Sequence, residues 1–190
     1  MTEHILERGF VIEEHVLEPA MAALLYNVLL LRVWRGEGRQ DDHIATAHSF
    51  WGDCTIDGLL AGLAPRIGAL LGRPLLPTYG YARIYGDGDR LSPHRDREAC
   101  QVTATIHLGS TGGVPPPICF EPDGAVSQGP GDAVVFLGDR ITHWRDSYRG
   151  RSFGQVFLNY VYADGARSHL VYDGRRHAFP PGWLERQVAL

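Results

Sequence analysis

Between residues 77 and 108 the sequence reads PTYGYARIYGDGDRLSPHRDREACQVTATIHL. Apolar and polar residues alternate along Tyr79–Tyr85 and again along Val102–Leu108, which is the period of a half-buried β-strand. The glycines and aspartates of Gly86–Asp89 are typical of the turns that end such strands. The stretch therefore predicts strands of a sheet, with His94-Arg95-Asp96 lying between them.

The same pattern continues downstream, and a different one precedes it. Strand character also marks Ile118–Glu121, Ala133–Leu137 and Phe153–Tyr162, which are separated by turns rich in glycine and proline. Upstream, apolar residues recur at helical spacing in Pro19–Trp34 and Thr55–Leu71. Helices first and strands later predict a mainly β (α+β) protein in which N-terminal helices back a β-sandwich or barrel.

The length of 190 residues suits one domain. We expect residues 1–75 to form a helical support layer, residues 76–175 the β-sheet core and residues 176–190 a tail. Between the two helices, the segment Gly36–Asp53 is polar and contains glycine. Such a segment is either a lid over a site or a mobile connection, and the sequence leaves both open.

The charge and the cysteine content limit which partners and which cellular location are plausible for the chain. The formal net charge is −4 and the pI about 6.1, so the chain lacks the basic surface that binds nucleic acids or anionic membranes. The most apolar run, Met21–Trp34, is too short to span a bilayer, and the N-terminus lacks a signal-peptide pattern. Three scattered cysteines are too few for a disulfide framework. We expect a cytoplasmic protein with a small-molecule substrate and without nucleic-acid or membrane partners.

His94 and Asp96 stand two residues apart, so in an extended segment both side chains point to the same face. A third candidate ligand, His143, follows the predicted strand Ala133–Leu137. Two histidines and one carboxylate are the ligand set of non-haem Fe(II) oxygenases, and this set leaves coordination positions open for other molecules. The alternative is that the three are ordinary surface residues, because a His-x-Asp pattern alone has little specificity.

The two faces of Val102–Leu108 differ in polarity. Its even-numbered residues are apolar, whereas Thr103, Thr105 and His107 are polar. If helices cover the apolar face, the polar face lines the interior of the barrel, where polar groups need a ligand, water or metal as partner. The alternative that stays open is a polar face in contact with solvent.

The order of these motifs resembles that of the Fe(II)/2-oxoglutarate-dependent dioxygenase superfamily, in particular its prolyl-hydroxylase-like branch. The His-x-Asp motif, the later histidine after a Gly-Asp strand and an arginine several residues on are similar to that family's pattern. The resemblance implies a double-stranded β-helix, or jelly roll, that uses Fe(II), 2-oxoglutarate and O2. It also implies that His94, Asp96 and His143 are the iron ligands and form the catalytic centre.

The resemblance further implies where 2-oxoglutarate binds. Arg151 matches the arginine that holds the far (C5) carboxylate of the co-substrate in that family. Its spacing from His143 is short, so Arg149 and Arg145 remain alternatives for the same role. The other positions that match residues facing the co-substrate are Tyr85, Thr103 and His107, and relatives often carry tyrosine where this chain has His107.

The expected activity is that of an Fe(II)- and 2-oxoglutarate-dependent oxygenase, an oxidoreductase. It would hydroxylate a small-molecule or amino-acid-like substrate and release succinate and CO2. Two alternatives stay open at this stage. One is a cupin-like metal enzyme that uses the same ligands without a keto-acid, and the other is a non-catalytic jelly-roll module that binds or senses a ligand.

Overall fold

The structure is a computed structural model, and it describes residues 9–122, 124–180 and 182–183. Two α-helices, α1 (Pro19–Trp34) and α2 (Cys54–Leu71), lie in the first part of the chain. The strands are β1 (Phe10–Glu13), β2 (Arg39–Gln40), β3 (His48–Trp51), β4 (Leu75–Tyr85), β5 (Leu91–His94), β6 (Val102–Thr111), β7 (Ile118–Phe120), β8 (Gly124–Val126), β9 (Ala133–Phe136), β10 (His143–Arg145) and β11 (Ser152–Tyr162). Short 3-10 segments lie at Glu98–Cys100 and within Ser168–Gly174. Of the predicted tail, residues 181 and 184–190 lie outside the described residues, as do residues 1–8 of the predicted support layer.

The strands form two antiparallel sheets. The larger sheet has the order β1-β9-β6-β11-β4-β3-β2, and the smaller one has the order β5-β10-β7-β8. From β4 onward the chain alternates between the two sheets, with β4, β6, β9 and β11 in the larger one and β5, β10 and the hairpin of β7 and β8 in the smaller one. This is the double-stranded β-helix, or jelly roll, that was predicted.

The helices cover the outer face of the larger sheet. The even-numbered residues of β6, such as Ala104 and Ile106, join one buried cluster with Leu29 of α1 and Leu60 of α2. The polar residues Thr103, Thr105 and His107 of β6 are also buried, on the opposite face and therefore inside the barrel. The structure thus confirms the prediction that this strand places its polar face in the interior rather than in solvent.

Helix α2 begins one residue earlier than predicted. Its N-cap is Asp53, whose carboxylate accepts the backbone N–H groups of Thr55 and Ile56 at 2.9 and 3.3 Å. It ends as expected at Gly72, which has a left-handed φ of 64°. Among the described helices only α2 is long and apolar enough to cross a bilayer, but its buried face belongs to the core. It is therefore a core helix of this domain.

The predicted support layer is not purely helical. Strand β1 pairs with β9, and the polar segment Gly36–Asp53 contains β2 and β3, of which β3 pairs with β4. The segment is held to the sheet by Asp41, whose buried carboxylate accepts hydrogen bonds from Arg83 Nε and Nη2 at 2.8 and 3.0 Å. A buried guanidinium needs a counter-charge, and this hairpin supplies it. The segment that the sequence left open as a lid or a mobile connection therefore contains two short strands, and β3 is part of the larger sheet.

Candidate metal centre

The jelly roll brings the three predicted ligands together. His94 ends β5 and lies directly opposite His143, the first residue of β10, while Asp96 follows two residues after His94. One ligand atom from each side chain lies within 4.8 Å of the other two. Asp96 Oδ1 is 3.4 Å from His94 Nε2 and 3.7 Å from His143 Nε2. Two nitrogen donors and one oxygen donor therefore converge on one point.

Backbone carbonyls orient both histidines. The Nδ1 atom of His94 lies 2.9 Å from the carbonyl oxygen of Ser92, and that of His143 lies 3.1 Å from the carbonyl oxygen of Ile141. A carbonyl oxygen only accepts, so Nδ1 carries the proton in each ring. In the neutral form of each ring, Nε2 then carries the lone pair that binds a metal, and in the protonated form of His94 its Nε2–H donates to Asp96.

Charge and burial shift the pKa values of the three side chains in different directions. Burial opposes the ionisation of Asp96, but the hydrogen bond from His94 and the nearby His143 outweigh it and lower the pKa of the carboxyl group. Burial lowers the pKa of His143. For His94 the hydrogen bonds to Asp96 and Ser92 outweigh burial and raise its pKa. The site thus holds a carboxylate beside a buried, neutral imidazole.

Two residues fix the position of Asp96. The Thr103 hydroxyl on β6 donates to Asp96 Oδ2 at 3.1 Å, and the Asp96 N–H donates to the Gly138 carbonyl at 2.9 Å. A Cβ atom on Gly138 would lie 2.6 Å from Thr103 Oγ1 and closer still to Asp96 Oδ2. The structure therefore places Thr103 against a predicted metal ligand, and it adds Gly138, which sequence reasoning missed. A glycine two residues after β9 was the available signal.

The triad opens onto a cavity of about 670 Å³. Most of its aromatic lining residues lie on strands of the larger sheet, and strands of the smaller sheet contribute Leu91, Ile118 and Arg145. The lining residues include Trp51, Tyr79, Tyr81, Arg83, Leu91, Ile118, Phe136, Arg145, Phe157 and Asn159, together with the three ligands. The cavity is within the size range of small-molecule sites in proteins.

Arg145 is a buried cation in this cavity. Its side chain is 3% exposed, its Nη1 donates to the Pro116 carbonyl and its Nη2 to Gln128 Oε1, both at 2.7 Å. Burial lowers its pKa to about 10. Within the described part of the chain no carboxylate forms an ion pair with it. A buried guanidinium that has only neutral acceptors is stabilised when an anion binds to it, which makes Arg145 a candidate anion site.

The other two arginines proposed for this role lie elsewhere. Arg149 and Arg151 are both exposed, and neither lines the cavity. Arg145 stands two residues after His143 on the same strand, and both side chains are buried in the barrel. Alternation along a strand therefore puts Arg145 on the face that carries the metal ligand. Arg151 precedes β11, at the end of the barrel where its backbone N–H donates to the Thr111 carbonyl.

The two remaining predicted residues lie behind the cavity wall. The Tyr85 hydroxyl accepts a hydrogen bond from Arg83 at 3.0 Å, and its ring stacks on Phe153 at 4.9 Å. His107 packs edge-on against the same Phe153 ring, and its Nδ1 lies 3.0 Å from the Gln128 carbonyl. Its buried Nε2 has no hydrogen-bond partner among the described residues. Neither residue lines the cavity, but both pack on the ring over which the Arg145 guanidinium lies at 5.4 Å.

No protein-family model matches the sequence, and no curated protein matches it. Solved structures do match the fold. A prolyl-4-hydroxylase from Pseudomonas putida has a TM-score of 0.66 and 17% identity, over 83% of this chain and 96% of its own. The non-haem α-ketoglutarate-dependent epimerase SnoN from nogalamycin biosynthesis has a TM-score of 0.66 and 18% identity, over 85% and 83% of the two chains.

A third match is HygX from Streptomyces hygroscopicus, crystallised with nickel, 2-oxoglutarate and hygromycin B. It has a TM-score of 0.65 and 13% identity, over 86% of this chain and 87% of its own. At these identities the comparison establishes the architecture. The chain has the double-stranded β-helix fold of the Fe(II)/2-oxoglutarate-dependent oxygenases, including the prolyl hydroxylases.

Proposed function

We propose that this protein is an Fe(II)- and 2-oxoglutarate-dependent oxygenase that hydroxylates a small-molecule or amino-acid-like substrate and releases succinate and CO2. The observation that carries the proposal is the combination of two features in one cavity. The His94, Asp96 and His143 triad offers a three-ligand metal site, and Arg145 offers a buried cation that no carboxylate in the described part of the chain neutralises. A metal with three open positions and a nearby anion site are the two requirements for a chelating keto-acid.

The donor set fits Fe(II). Mixed nitrogen and oxygen ligands suit Fe(II) and Mn(II) better than the thiolate-preferring metals, and Cys100, the cysteine in the cavity wall, hydrogen bonds with Tyr79 at 3.0 Å. When bound, Fe(II) with 2-oxoglutarate and O2 supplies the oxidising chemistry that hydroxylates a C–H bond. The protein holds the ligand geometry through Thr103 and the backbone carbonyls beside each histidine.

Arg145, rather than Arg151, is the residue that we assign to the far carboxylate of 2-oxoglutarate. The other buried arginine of the cavity, Arg83, is already neutralised by Asp41 through two hydrogen bonds. Arg145 has two neutral oxygen acceptors and retains an uncompensated charge. Binding a carboxylate there removes the electrostatic cost of the buried cation.

The rest of the cavity supports a small-molecule substrate. Beyond the triad its wall is aromatic, with Tyr81 stacked on Phe157 at 4.6 Å and an exposed Trp51 at the rim. Such surfaces bind the apolar or planar part of a ligand and keep water from the reacting centre. The similarity to SnoN and to HygX, which was crystallised with hygromycin B, points to the same class of substrate.

A two-step experiment tests the proposal. First, Mn(II) binding to the purified protein is measured by titration under anaerobic conditions, followed by 2-oxoglutarate binding to the Mn(II)-loaded protein. Second, the Fe(II)-loaded protein is incubated in air with 2-oxoglutarate and a metabolite extract, and succinate is quantified. We expect both binding steps, and succinate formation that is lost in Asp96→Ala.

The outcomes separate the alternatives. Metal binding without any effect of 2-oxoglutarate would favour a cupin-like metal enzyme that uses no keto-acid. Failure of the wild-type protein to bind Mn(II) would leave a non-catalytic jelly-roll module. Asp96→Asn is a suitable second variant, because it preserves the shape of the side chain and removes its charge.

We also propose a cytoplasmic location. The three cysteines are free thiols, and Cys100 and Cys119 are buried. Free thiols are typical of reducing compartments. Fractionation of the native host followed by immunodetection tests this proposal, and recovery in a secreted or membrane fraction would contradict it.

A further inference from the structure

Helix α1 carries a large apolar face that nothing among the described residues covers. Trp34 is 83% exposed, and Met21, Leu24, Val28 and Leu31 are between 40% and 56% exposed. The opposite face of the same helix, which includes Leu25 and Leu29, is buried on the sheet. A helix that is apolar on both faces is typical of an element buried from both sides.

The exposed residues follow a heptad pattern. The spacing of Ala20, Leu24, Asn27, Leu31 and Trp34 alternates between four and three residues, so these side chains form one seam along the helix. All five are exposed. Such a seam is the surface that pairs with a second helix in left-handed helix packing. The seam is far from the metal triad in the fold, since the sheet lies between α1 and the cavity.

We propose that α1 is the interface of a symmetric homodimer, in which it packs antiparallel against α1 of a second copy. The seam has nearly the same spacing on both sides of Asn27, since Ala20 and Trp34 lie seven residues away and the two leucines three and four residues away. In an antiparallel pair Trp34 lies over the small Ala20 of the second copy, and Leu24 meets Leu31. A large residue opposite a small one, and leucine opposite leucine, fill a helix–helix interface well.

The single polar residue of the seam identifies a second copy as the occupant. Asn27 is at the midpoint, so in the symmetric pair it lies at the two-fold axis and meets the other copy's Asn27. An amide both donates and accepts, so the two side chains satisfy each other. A single asparagine in an apolar seam commonly sets the register of helix pairs. With a purely apolar partner this amide would lose its hydrogen bonds.

Charge at the two ends of the helix agrees with the antiparallel arrangement. Glu18 lies just before α1 and Arg35 just after it, and both are exposed. Neither forms an ion pair with another described residue. In the antiparallel pair each Glu18 lies near Arg35 of the second copy, and the helix dipoles oppose each other favourably.

The size of the apolar face is sufficient for a dimer. The exposed fractions of its five large apolar side chains correspond to on the order of 500 Å² per copy, at the upper end of patches on monomers. A symmetric pair would bury about 1,000 Å², which is the lower bound for a specific interface. We therefore expect a reversible dimer.

A lipid surface fits this face less well. Interfacial helices carry lysine or arginine along their polar face, whereas the only basic residue inside α1 is Arg32. Its guanidinium is already paired with Glu37 and Asp53. The net charge of −4 also disfavours anionic lipids.

Sedimentation velocity over a concentration series tests the proposal. We expect the full-length protein to sediment as a monomer–dimer equilibrium, and Leu24→Glu to raise the dimer dissociation constant by about 100-fold or more. Val114→Glu is the matched control, because Val114 is 88% exposed, lies outside the helix and receives the same charge. It should leave the equilibrium unchanged. Equal far-UV circular dichroism spectra and melting temperatures would show that the variants are folded.

Cysteine cross-linking tests the antiparallel register. In a Cys54→Ser background, which removes the exposed native thiol, Asn27→Cys should form an intermolecular disulfide with itself under mild oxidation. Ala20→Cys and Trp34→Cys should cross-link with each other and not with themselves. A monomer at all concentrations, or dimers unaffected by Leu24→Glu, would overturn the proposal. Binding to phosphatidylcholine vesicles that Leu24→Glu abolishes, without a dimer, would show a membrane surface instead.

Discussion

Replacement of Arg145 by glutamine separates co-substrate binding from metal binding. Arg145→Gln keeps hydrogen-bonding capacity and removes the charge from a side chain that is 3% exposed. Charge-assisted hydrogen bonds to a carboxylate are worth about 1.5–3 kcal/mol. At about 1.4 kcal/mol per factor of ten, the Kd for 2-oxoglutarate should rise about 10- to 100-fold. Mn(II) binding should hardly change, because Arg145 is not a ligand.

The same substitution should have little effect on the stability of the protein without co-substrate. Burial lowers the pKa of Arg145 to about 10, which means that below this pH the charged residue makes the folded state less stable relative to the unfolded state. Removing the charge relieves this cost, although it also weakens the hydrogen bonds to Pro116 and Gln128. We therefore expect Arg145→Gln to melt at or near the wild-type temperature when no ligand is present.

Thermal shift and titration calorimetry give the two readouts. At a 2-oxoglutarate concentration of about 100 times Kd, binding to the Mn(II)-loaded wild type adds about 2.7 kcal/mol of stability, or about 5–10 °C in Tm. With a Kd raised 10- to 100-fold, the same concentration adds only about 0.4–1.4 kcal/mol.

Arg151→Gln and Arg149→Gln are the matched controls, since both residues are exposed arginines on the same segment of the chain. Neither should change the Kd for 2-oxoglutarate. A raised Kd in Arg151→Gln with a normal Kd in Arg145→Gln would refute the reasoning from burial. Unchanged affinity in all three variants would refute an arginine anchor for the co-substrate.

Three further predictions concern the support of the site and of the fold. Thr103→Val removes the hydrogen bond to Asp96 and should weaken Mn(II) binding about 10-fold, and an unchanged titration would contradict this. Gly138→Ala places a methyl group against Asp96 and Thr103 and should weaken metal binding more strongly, whereas Gly62→Ala, in open space on the exposed side of α2, should leave it intact. Asp53→Ala removes the N-cap of α2 and should lower the free energy of unfolding by about 1 kcal/mol in urea titrations at neutral pH. Hydrogen bonds from Arg32 and Thr55 outweigh burial and lower the pKa of Asp53, so this difference should be present above the reference pKa of about 3.9 and vanish as the pH falls below it.

Local patterns predicted the regular parts of the fold. The helix Pro19–Trp34 and the strands Val102–Thr111 and Ser152–Tyr162 are long enough for their periodicity to be read from the chain. Strands β5, β8 and β10 have only three or four residues, and β5 and β10 lack the apolar runs that marked the equally short β7 and β9. They exist because their backbone groups pair with neighbours that are distant in the sequence.

The same division applies to the site. The spacing of His94 and Asp96, and the position of His143 after a strand, made these three residues candidate ligands, and the resemblance to the Fe(II)/2-oxoglutarate-dependent dioxygenases implied the complete set. Three arginines were possible anchors for the co-substrate, and the spacing preferred Arg151. In the folded protein Arg151 is exposed and Arg145 is buried. This difference depends on how the strands pack in the barrel and not on the spacing along the chain.

By itself, the sequence determined the fold class, the two helices and the longer strands, since these are expressed in periodicity along the chain, and it supplied the three candidate metal ligands. Only the tertiary structure decided that Arg145 is the uncompensated cation, that Asp41 neutralises Arg83 and that Gly138 leaves room for the Asp96 carboxylate. These features depend on burial and on pairing between distant segments. A charge is costly or satisfied according to what surrounds it in the folded protein, and that environment is not a property of neighbouring residues in the chain.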